Sequence, residues 1–179
     1  FVAVQNAIDA ASSGDLIIIN DSNTYFEELL VDGKDYLTLV AADGESPVID
    51  YTHEYGYGAL RIQNSSGVRV EGIQFTGGYR GVITIDASDI LLANNTMFDC
   101  IETSSETVGY GFQSAGASSV LLYRNIVRGN ENTGVYIGPN STSILIENNI
   151  LEHNSSSEWV YGVRVVDGGY SNIHENVIS

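Results

Sequence analysis

Four ionisable residues fall at equivalent places in the sequence, each one or two positions after an apolar residue that recurs along the chain. They are Asp99, Arg128, Glu152 and His153. If these stretches stack on one another, two carboxylates, a guanidinium and an imidazole meet on one face and could form an acid–base site. Charges on an exposed face also serve solubility and cross-strand pairing, so a structural role is the simpler hypothesis.

Neighbouring residues could hold a ligand beside these four. Glu102, Trp159 and Tyr161 lie in or next to the two longest insertions, and an aromatic ring on a groove wall can stack on a sugar ring. Arg80 lies between Tyr79 and Gly81 and could pair with an acidic substrate, although pairing with a neighbouring carboxylate is the commoner role of such an arginine. We therefore predict these four residues as ligand-binding candidates if the chain has a binding site.

The sequence gives little support for metal or thiol chemistry. Cys100 is the single cysteine, which excludes an internal disulfide and a cysteine-rich zinc site, and a nucleophilic role for it is not expected. We predict no metal site and no required cofactor. Ca²⁺ remains a candidate, because it could bridge this acidic chain to an acidic polymer.

Composition narrows the choice of partners and compartment. Seven Lys and Arg against 23 Asp and Glu give a net charge of −16 over 179 residues, which argues against nucleic acid and anionic lipid as partners. Apolar runs reach only four or five residues, as at 16–19, so no membrane insertion is expected. Four Asn-x-Ser/Thr motifs indicate glycosylation and an extracellular or cell-surface location, and they begin at Asn64, Asn94, Asn140 and Asn154.

A repeat explains how the candidate residues could be brought together. Two apolar positions five residues apart recur with steps of 22, 30, 24 and 27 residues. The first position is held by Val70, Leu92, Leu122, Ile146 and Ile173, and the second by Phe75, Met97, Val127, Leu151 and Ile178. Units this small cannot bury their own apolar face, so stacking is expected to build one continuous core.

Asparagine and glycine mark the ends of the strands within each unit. A position between the two apolar ones is held first by Ile73 and then by asparagines, which we predict to form a hydrogen-bonded ladder at a bend: Asn95, Asn125, Asn149 and Asn176. A further β-branched strand in each unit opens with a glycine: Gly58, Gly81, Gly111, Gly134 and Gly162.

These repeated asparagine units and glycine-led strands resemble the coils of right-handed parallel β-helix proteins of the pectate-lyase-like superfamily. The resemblance implies an all-β, single-chain solenoid with a short N-terminal capping helix near residues 4–11. We predict a cap and first coils over residues 1–57 and regular coils over 58–179, in one continuous domain whose C-terminal end lacks a cap. The family includes lyases, hydrolases, epimerases, adhesins and structural proteins, so the resemblance alone implies no single activity.

Two functions remain open at this stage. The first is an extracellular or cell-surface protein with a structural, assembly or glycan-binding role, in which an uncapped strand edge would recruit a second copy or a further β-helix chain. The second is a carbohydrate-active enzyme, a lyase, hydrolase or epimerase acting on a surface polysaccharide. A polysaccharide is a possible partner under both hypotheses.

Overall fold

The computed structural model describes residues 3–51, 57–101, 108–154, 161–166 and 170–179. Helix α1 (Val4–Ala10) comes first, and the strands that follow form three parallel sheets. The first sheet contains β1 (Leu16–Ile19), β4 (Thr38–Ala41), β7 (Arg69–Glu71), β10 (Ser88–Ala93), β13 (Ser118–Tyr123), β16 (Thr142–Glu147) and β19 (Ser171–His174). The second contains β2 (Thr24–Tyr25), β5 (Val48–Asp50), β8 (Gln74–Thr76), β11 (Thr96–Phe98), β14 (Ile126–Arg128), β17 (Ile150–Glu152) and β20 (Val177–Ile178). The third contains β3 (Leu29–Asp32), β6 (Leu60–Gln63), β9 (Arg80–Ile85), β12 (Tyr110–Ala115), β15 (Thr133–Ile137) and β18 (Tyr161–Val165).

Successive strands lie in the first, second and third sheets in turn. Each strand from β4 onward therefore pairs with the strand three places earlier in the chain. This is a parallel β-helix of about six turns, and it confirms the all-β solenoid and the N-terminal helix predicted from the sequence. The short helix α1 cannot span a bilayer, and no other helix in the described residues is long and apolar enough to do so.

Eight of the ten predicted apolar positions form the core, whereas Ile173 and Ile178 on the last described coil are 41% and 54% exposed. Leu92 pairs in register with Leu122, and Leu122 pairs with Ile146. These three side chains are at most 1% exposed. Side chains alternate along each strand between the core and the solvent. The parallel register therefore places each inward side chain directly above the inward side chain of the next coil.

The four predicted ladder asparagines are hydrogen-bonded from coil to coil at the corner between the first and second sheets. Asn125 Oδ1 accepts from the Asn95 backbone N–H at 2.9 Å, and Asn125 Nδ2 donates to the Leu92 carbonyl at 2.9 Å and to Asn149 Oδ1 at 3.0 Å. The same pattern continues from Asn149 to Asn176. The ladder therefore satisfies backbone groups that leave the sheet where the chain turns.

Glycine is the second residue of β9, β12, β15 and β18, where the chain passes close to the neighbouring coil and to second-sheet side chains. A Cβ built on Gly81 would lie 2.7 Å from the Gly111 carbonyl oxygen, and one built on Gly162 would lie 2.6 Å from Cγ2 of Ile178. A Cβ on Gly111 would overlap Cγ1 of Val127. Only glycine leaves room for this close approach.

Helix α1 covers the edge of the first coil. Glu27 accepts hydrogen bonds from the backbone N–H groups of Val4 and Gln5, at 2.7 and 3.1 Å, and so caps the helix N-terminus. The Gln5 side chain bonds both backbone groups of Leu30, accepting at 2.7 Å and donating at 3.2 Å. The Gln5 amide thus satisfies peptide groups at the edge strand β3.

Candidate functional site

The outer face of the third sheet carries a row of arginine, tyrosine and amide side chains. The strand register places the row in the order Arg61, Ile83, Gln113, Tyr136 and Arg164. Neighbouring members are separated by one strand spacing, about 4.8 Å. We call this surface the tyrosine–arginine face, and it comprises Tyr57, Arg61, Arg80, Gln113, Tyr136, Tyr161 and Arg164.

At one end of this face, Arg61 is held between an aromatic ring and a carboxylate. Its guanidinium carbon lies 4.1 Å from the centroid of the Tyr57 ring, and its Nε lies 3.9 Å from Oε1 of Glu28. Both of these polar atoms are buried, and neither has a hydrogen-bond partner among the residues that the structure describes. Stacking on the ring fixes the plane of the guanidinium, an arrangement suited to planar acceptors such as carboxylates.

At the other end, three tyrosine rings and Arg164 form an aromatic platform, in which Tyr110 is buried at 7% exposure. The rings of Tyr110 and Tyr136 stack at 4.8 Å with planes 3° apart. The guanidinium carbon of Arg164 lies 5.6 Å from the ring centroids of both Tyr136 and Tyr161. Tyr79 belongs to the same buried cluster as Tyr110, so the platform rests on packed side chains.

Arg80 and Tyr161, both predicted as ligand-binding, lie on this one sheet. Along the strand register, Arg80 is followed by Tyr110, Thr133 and Tyr161, so three strand spacings of about 4.8 Å separate the two. Arg80 Nε donates to Oε1 of Gln113, and Nη1 donates to the carbonyl of Tyr57 at 3.3 Å. These bonds hold Arg80 along the face.

The four predicted catalytic residues lie on adjacent rungs of the second sheet. Arg128 pairs in register with Phe98 on one side and Glu152 on the other. Asp99 and His153 follow at the next turn, with φ of 52° and 50°. Arg128 lies over the ring of Phe98, with its guanidinium carbon 5.5 Å from the centroid. The four residues thus lie at the carboxyl ends of second-sheet strands. From this edge the chain continues to the third sheet.

Two other ligand-binding candidates, Glu102 and Trp159, lie outside the described residues. In sequence they fall between β11 and β12, and between β17 and β18, respectively. Their roles stay predictions.

Three of the four glycosylation candidates lie exposed at turns with positive φ: Asn64, Asn94 and Asn140. Asn154 differs, because its side chain is buried at 5% exposure. Its Nδ2 donates to the Val127 carbonyl at 2.9 Å, and its Oδ1 accepts from Asn130 Nδ2 at 2.8 Å. A glycan on Asn154 would have to replace the first of these bonds.

Asn130 and Asn154 form a second buried ladder, which the sequence interpretation missed. Asn130 Oδ1 also accepts from the Cys100 backbone N–H at 3.1 Å. The signal was present, because all three residues follow the second apolar position of their unit by three places and thus share its spacing. Burial raises the pKa of the Cys100 thiol, which makes the thiolate scarce and argues against nucleophilic chemistry there.

Two further groups near this region have shifted pKa values. Burial raises the pKa of the Asp50 carboxyl, whose buried Oδ1 has no hydrogen-bond partner within the described part of the chain. The pKa of the Tyr51 phenol is raised mainly by burial and further by the charge and hydrogen bond of Glu28. Both shifts follow from desolvation of the charged form.

Comparison with known proteins agrees with this architecture. The fold is similar to that of an alginate lyase from Paenibacillus sp., with a TM-score of 0.67, 16% identity and coverage of 96% of this chain and 72% of that one. It is also similar to a candidate glycosyl hydrolase from Parabacteroides merdae, with a TM-score of 0.66, 9% identity and coverage of 98% and 89%. A pectate lyase from Xanthomonas campestris gives a TM-score of 0.55 at 16% identity, with coverage of 95% and 66%.

Identities this low establish a shared fold and leave activity open. No curated protein has a significantly similar sequence. The family model described as "Right handed beta helix region" matches residues 6–178, nearly the whole chain. This protein therefore belongs to the right-handed β-helix family, with the pectate-lyase-like architecture expected from its repeats.

Proposed function

We propose that this protein is an extracellular or cell-surface β-helix that binds a polysaccharide along the tyrosine–arginine face. The observation that carries the proposal is the position of Arg164, 5.6 Å from the rings of Tyr136 and Tyr161, beside the stacked pair of Tyr136 and Tyr110. Tyrosine rings pack against the apolar faces of sugars, and guanidinium groups pair with sugar carboxylates.

The distribution of charge supports an acidic sugar as the ligand. Three of the seven basic residues lie on this face, namely Arg61, Arg80 and Arg164, in a protein of net charge −16. Three cations on one surface attract an anionic ligand to that surface, although the net negative charge of the protein repels it elsewhere. Two structural neighbours are named for alginate and pectate, which are acidic polysaccharides, and this also supports the proposal.

Isothermal titration calorimetry with uronate oligosaccharides tests the proposal, with neutral glucose oligosaccharides as the comparison. We expect Arg164→Ala to weaken uronate binding at least about tenfold, since a lost charge-assisted contact is worth about 1.5–3 kcal/mol. The matched control is Arg124→Ala. Arg124 lies 4.8 Å from the ring of Tyr123, the last residue of a first-sheet strand, so its removal also takes away an arginine packed on a tyrosine ring, but away from the third sheet.

Equal weakening by Arg124→Ala and Arg164→Ala would show a general charge effect and would reject the proposed face. Equal affinity for uronate and neutral oligosaccharides would reject an acidic sugar as the preferred ligand. It would still agree with sugar binding on the tyrosine rings. Repeating the titration with Ca²⁺ and with EDTA tests the predicted bridging role of calcium, which would appear as tighter binding with the ion present.

A second candidate function is polysaccharide cleavage at the edge of the second sheet. The observation that favours it is the register that places Arg128 directly beside Glu152, with Asp99 and His153 at the neighbouring turns. A guanidinium can stabilise charge that develops on a sugar carboxylate, while an imidazole or carboxylate transfers the proton.

Reducing-end release and ultraviolet absorbance of unsaturated products, measured on acidic and neutral polymers, test for cleavage. We expect Asp99→Ala and His153→Ala each to abolish any activity while the far-ultraviolet circular dichroism spectrum stays that of the parent. Retained cleavage in both variants would exclude this edge as the catalytic site. Arg80→Ala serves as a control for effects that arise from binding on the third sheet.

A further inference from the structure

A group of three metal-ligand side chains lies on the opposite side of the ladder corner from the catalytic candidates. Glu147 ends β16 and pairs in register with His174, which ends β19. Glu175 follows at the turn. One ligand atom from each of the three lies within 4.8 Å of the other two. Two strands and one turn thus bring three ligand side chains close together at the surface.

The donor set is suited to a borderline transition metal such as Zn²⁺. Zinc binds imidazole nitrogen and carboxylate oxygen at about 2.0–2.2 Å in tetrahedral sites, so its ligand atoms lie about 3.4 Å apart. The three ligand atoms here need to approach by at most about 1.4 Å to reach that spacing, which small rotations of the three side chains can provide. Ca²⁺ prefers six to eight oxygen ligands and gains little from an imidazole.

The buried asparagine ladder holds the backbone of two of these residues. Asn149 Nδ2 donates to the carbonyl of Glu147 at 3.0 Å, and Asn176 Nδ2 donates to the carbonyl of His174 at 2.9 Å. Asn148 Nδ2 donates to Oε1 of Glu147 at 3.2 Å and orients that carboxylate. Ligands positioned by a fixed backbone and an outer hydrogen bond lose less entropy on binding a metal.

The charges around the group favour a cation. Glu147 and Glu175 contribute two negative charges beside an imidazole, in a protein of net charge −16. The neighbouring cation is Arg124 on the adjacent coil, whose guanidinium lies over the Tyr123 ring. Among the described residues, no ion pair within 4.0 Å occupies Glu147, His174 or Glu175.

We propose that Glu147, His174 and Glu175 form a binding site for a divalent transition metal of the Zn²⁺ type, separate from the polysaccharide face. A tetrahedral ion held by these three side chains keeps one coordination position for water or for a donor from another molecule. The ion would join the last two first-sheet strands, β16 and β19, across the outside of the corner, and so would stabilise the folded coil.

Isothermal titration calorimetry with ZnCl₂ on the metal-free protein tests the site, with thermal unfolding as a second readout. We expect one Zn²⁺ per chain and a rise in the unfolding temperature on adding the metal. His174→Ala and Glu147→Gln should each weaken Zn²⁺ binding by at least about tenfold and remove the thermal shift. His153→Ala and Glu152→Gln are the matched controls, because they remove another surface imidazole and strand-end carboxylate on the second sheet.

Two further measurements separate a built site from general cation binding. CaCl₂ in place of ZnCl₂ should give no binding that His174→Ala alters. Asn148→Gly removes the outer hydrogen bond but tolerates the φ of 58°, and it should weaken Zn²⁺ binding less than His174→Ala does. Unchanged Zn²⁺ affinity in His174→Ala and Glu147→Gln, or equal losses in the His153→Ala control, would overturn the assignment.

Discussion

Replacing Asn125 with alanine tests whether the asparagine ladder is the main polar support of the solenoid. The substitution removes three hydrogen bonds, to the Asn95 N–H at 2.9 Å, the Leu92 carbonyl at 2.9 Å and Asn149 Oδ1 at 3.0 Å. Asn95 and Asn125 are each 1% exposed and Leu92 is fully buried, so water cannot replace the lost partners without entering the core.

The expected loss follows from the two backbone groups that are left without a side-chain partner. A buried polar group without its partner costs about 1–3 kcal/mol, so Asn125→Ala should lower the free energy of unfolding by about 2–6 kcal/mol. This is a large part of the 5–15 kcal/mol or so that stabilises a typical domain. Asn125→Asp keeps the acceptor but removes the donor and adds a buried charge, so we expect it to be at least as destabilising.

Urea unfolding followed by circular dichroism measures the loss, with Asn172→Ala as the matched control. Asn172 lies on an outward position of β19 and is exposed, so its replacement should change the unfolding free energy by no more than about 0.5 kcal/mol. If Asn125→Ala matched that control, the ladder would not stabilise the fold as argued. A changed denaturant slope would show that the coils no longer unfold together.

Two other perturbations test the packing and electrostatics of the same corner regions. Gly111→Ala should destabilise the fold by about 1–3 kcal/mol through overpacking, because its Cβ would lie 2.9 Å from the Gly134 carbonyl and overlap Val127. Gly44→Ala, whose methyl meets nothing within 4 Å, should cost only about 1–2 kcal/mol for its positive φ, and thermal unfolding of both variants compares them. Because burial raises the pKa of Asp50, its ionised form opposes folding, so Asp50→Asn should raise the unfolding temperature at pH 7. That gain should vanish as the pH falls below the ordinary value of 3.8, and a gain independent of pH would contradict the charge argument.

Much of the fold followed from the sequence because every coil repeats the same constraints. The apolar pair five residues apart, illustrated by Leu92 with Met97, recurs in each unit and lies in the core in every described coil except the last, where Ile173 and Ile178 are exposed. Asn125 and Gly111 mark the two corners for separate reasons, one by bonding backbone groups and the other by leaving space. The second ladder, through Asn130, has the same repeat spacing, but in the sequence Asn154 is also the first residue of a glycosylation motif, which predicts an exposed side chain.

The candidate sites were harder to predict because outward positions carry no repeated residue type. Gln113, Tyr136 and Arg164 share no motif, and only the strand register shows that they occupy one row. His174 belongs to no motif in the sequence, and its approach to Glu147 depends on the register of β16 and β19. The extracellular location, the association of copies and the catalytic quartet stay predictions.

The sequence by itself determined the winding of the chain, the composition of its core and the chemistry of its corners. Each of these is imposed locally and is repeated by every coil, so spacing alone reveals it. Tertiary structure decided which exposed side chains become neighbours, since residues more than twenty positions apart meet only when parallel pairing fixes the register. Each candidate functional surface of this protein therefore combines residues from several coils, and no single repeat unit contains one.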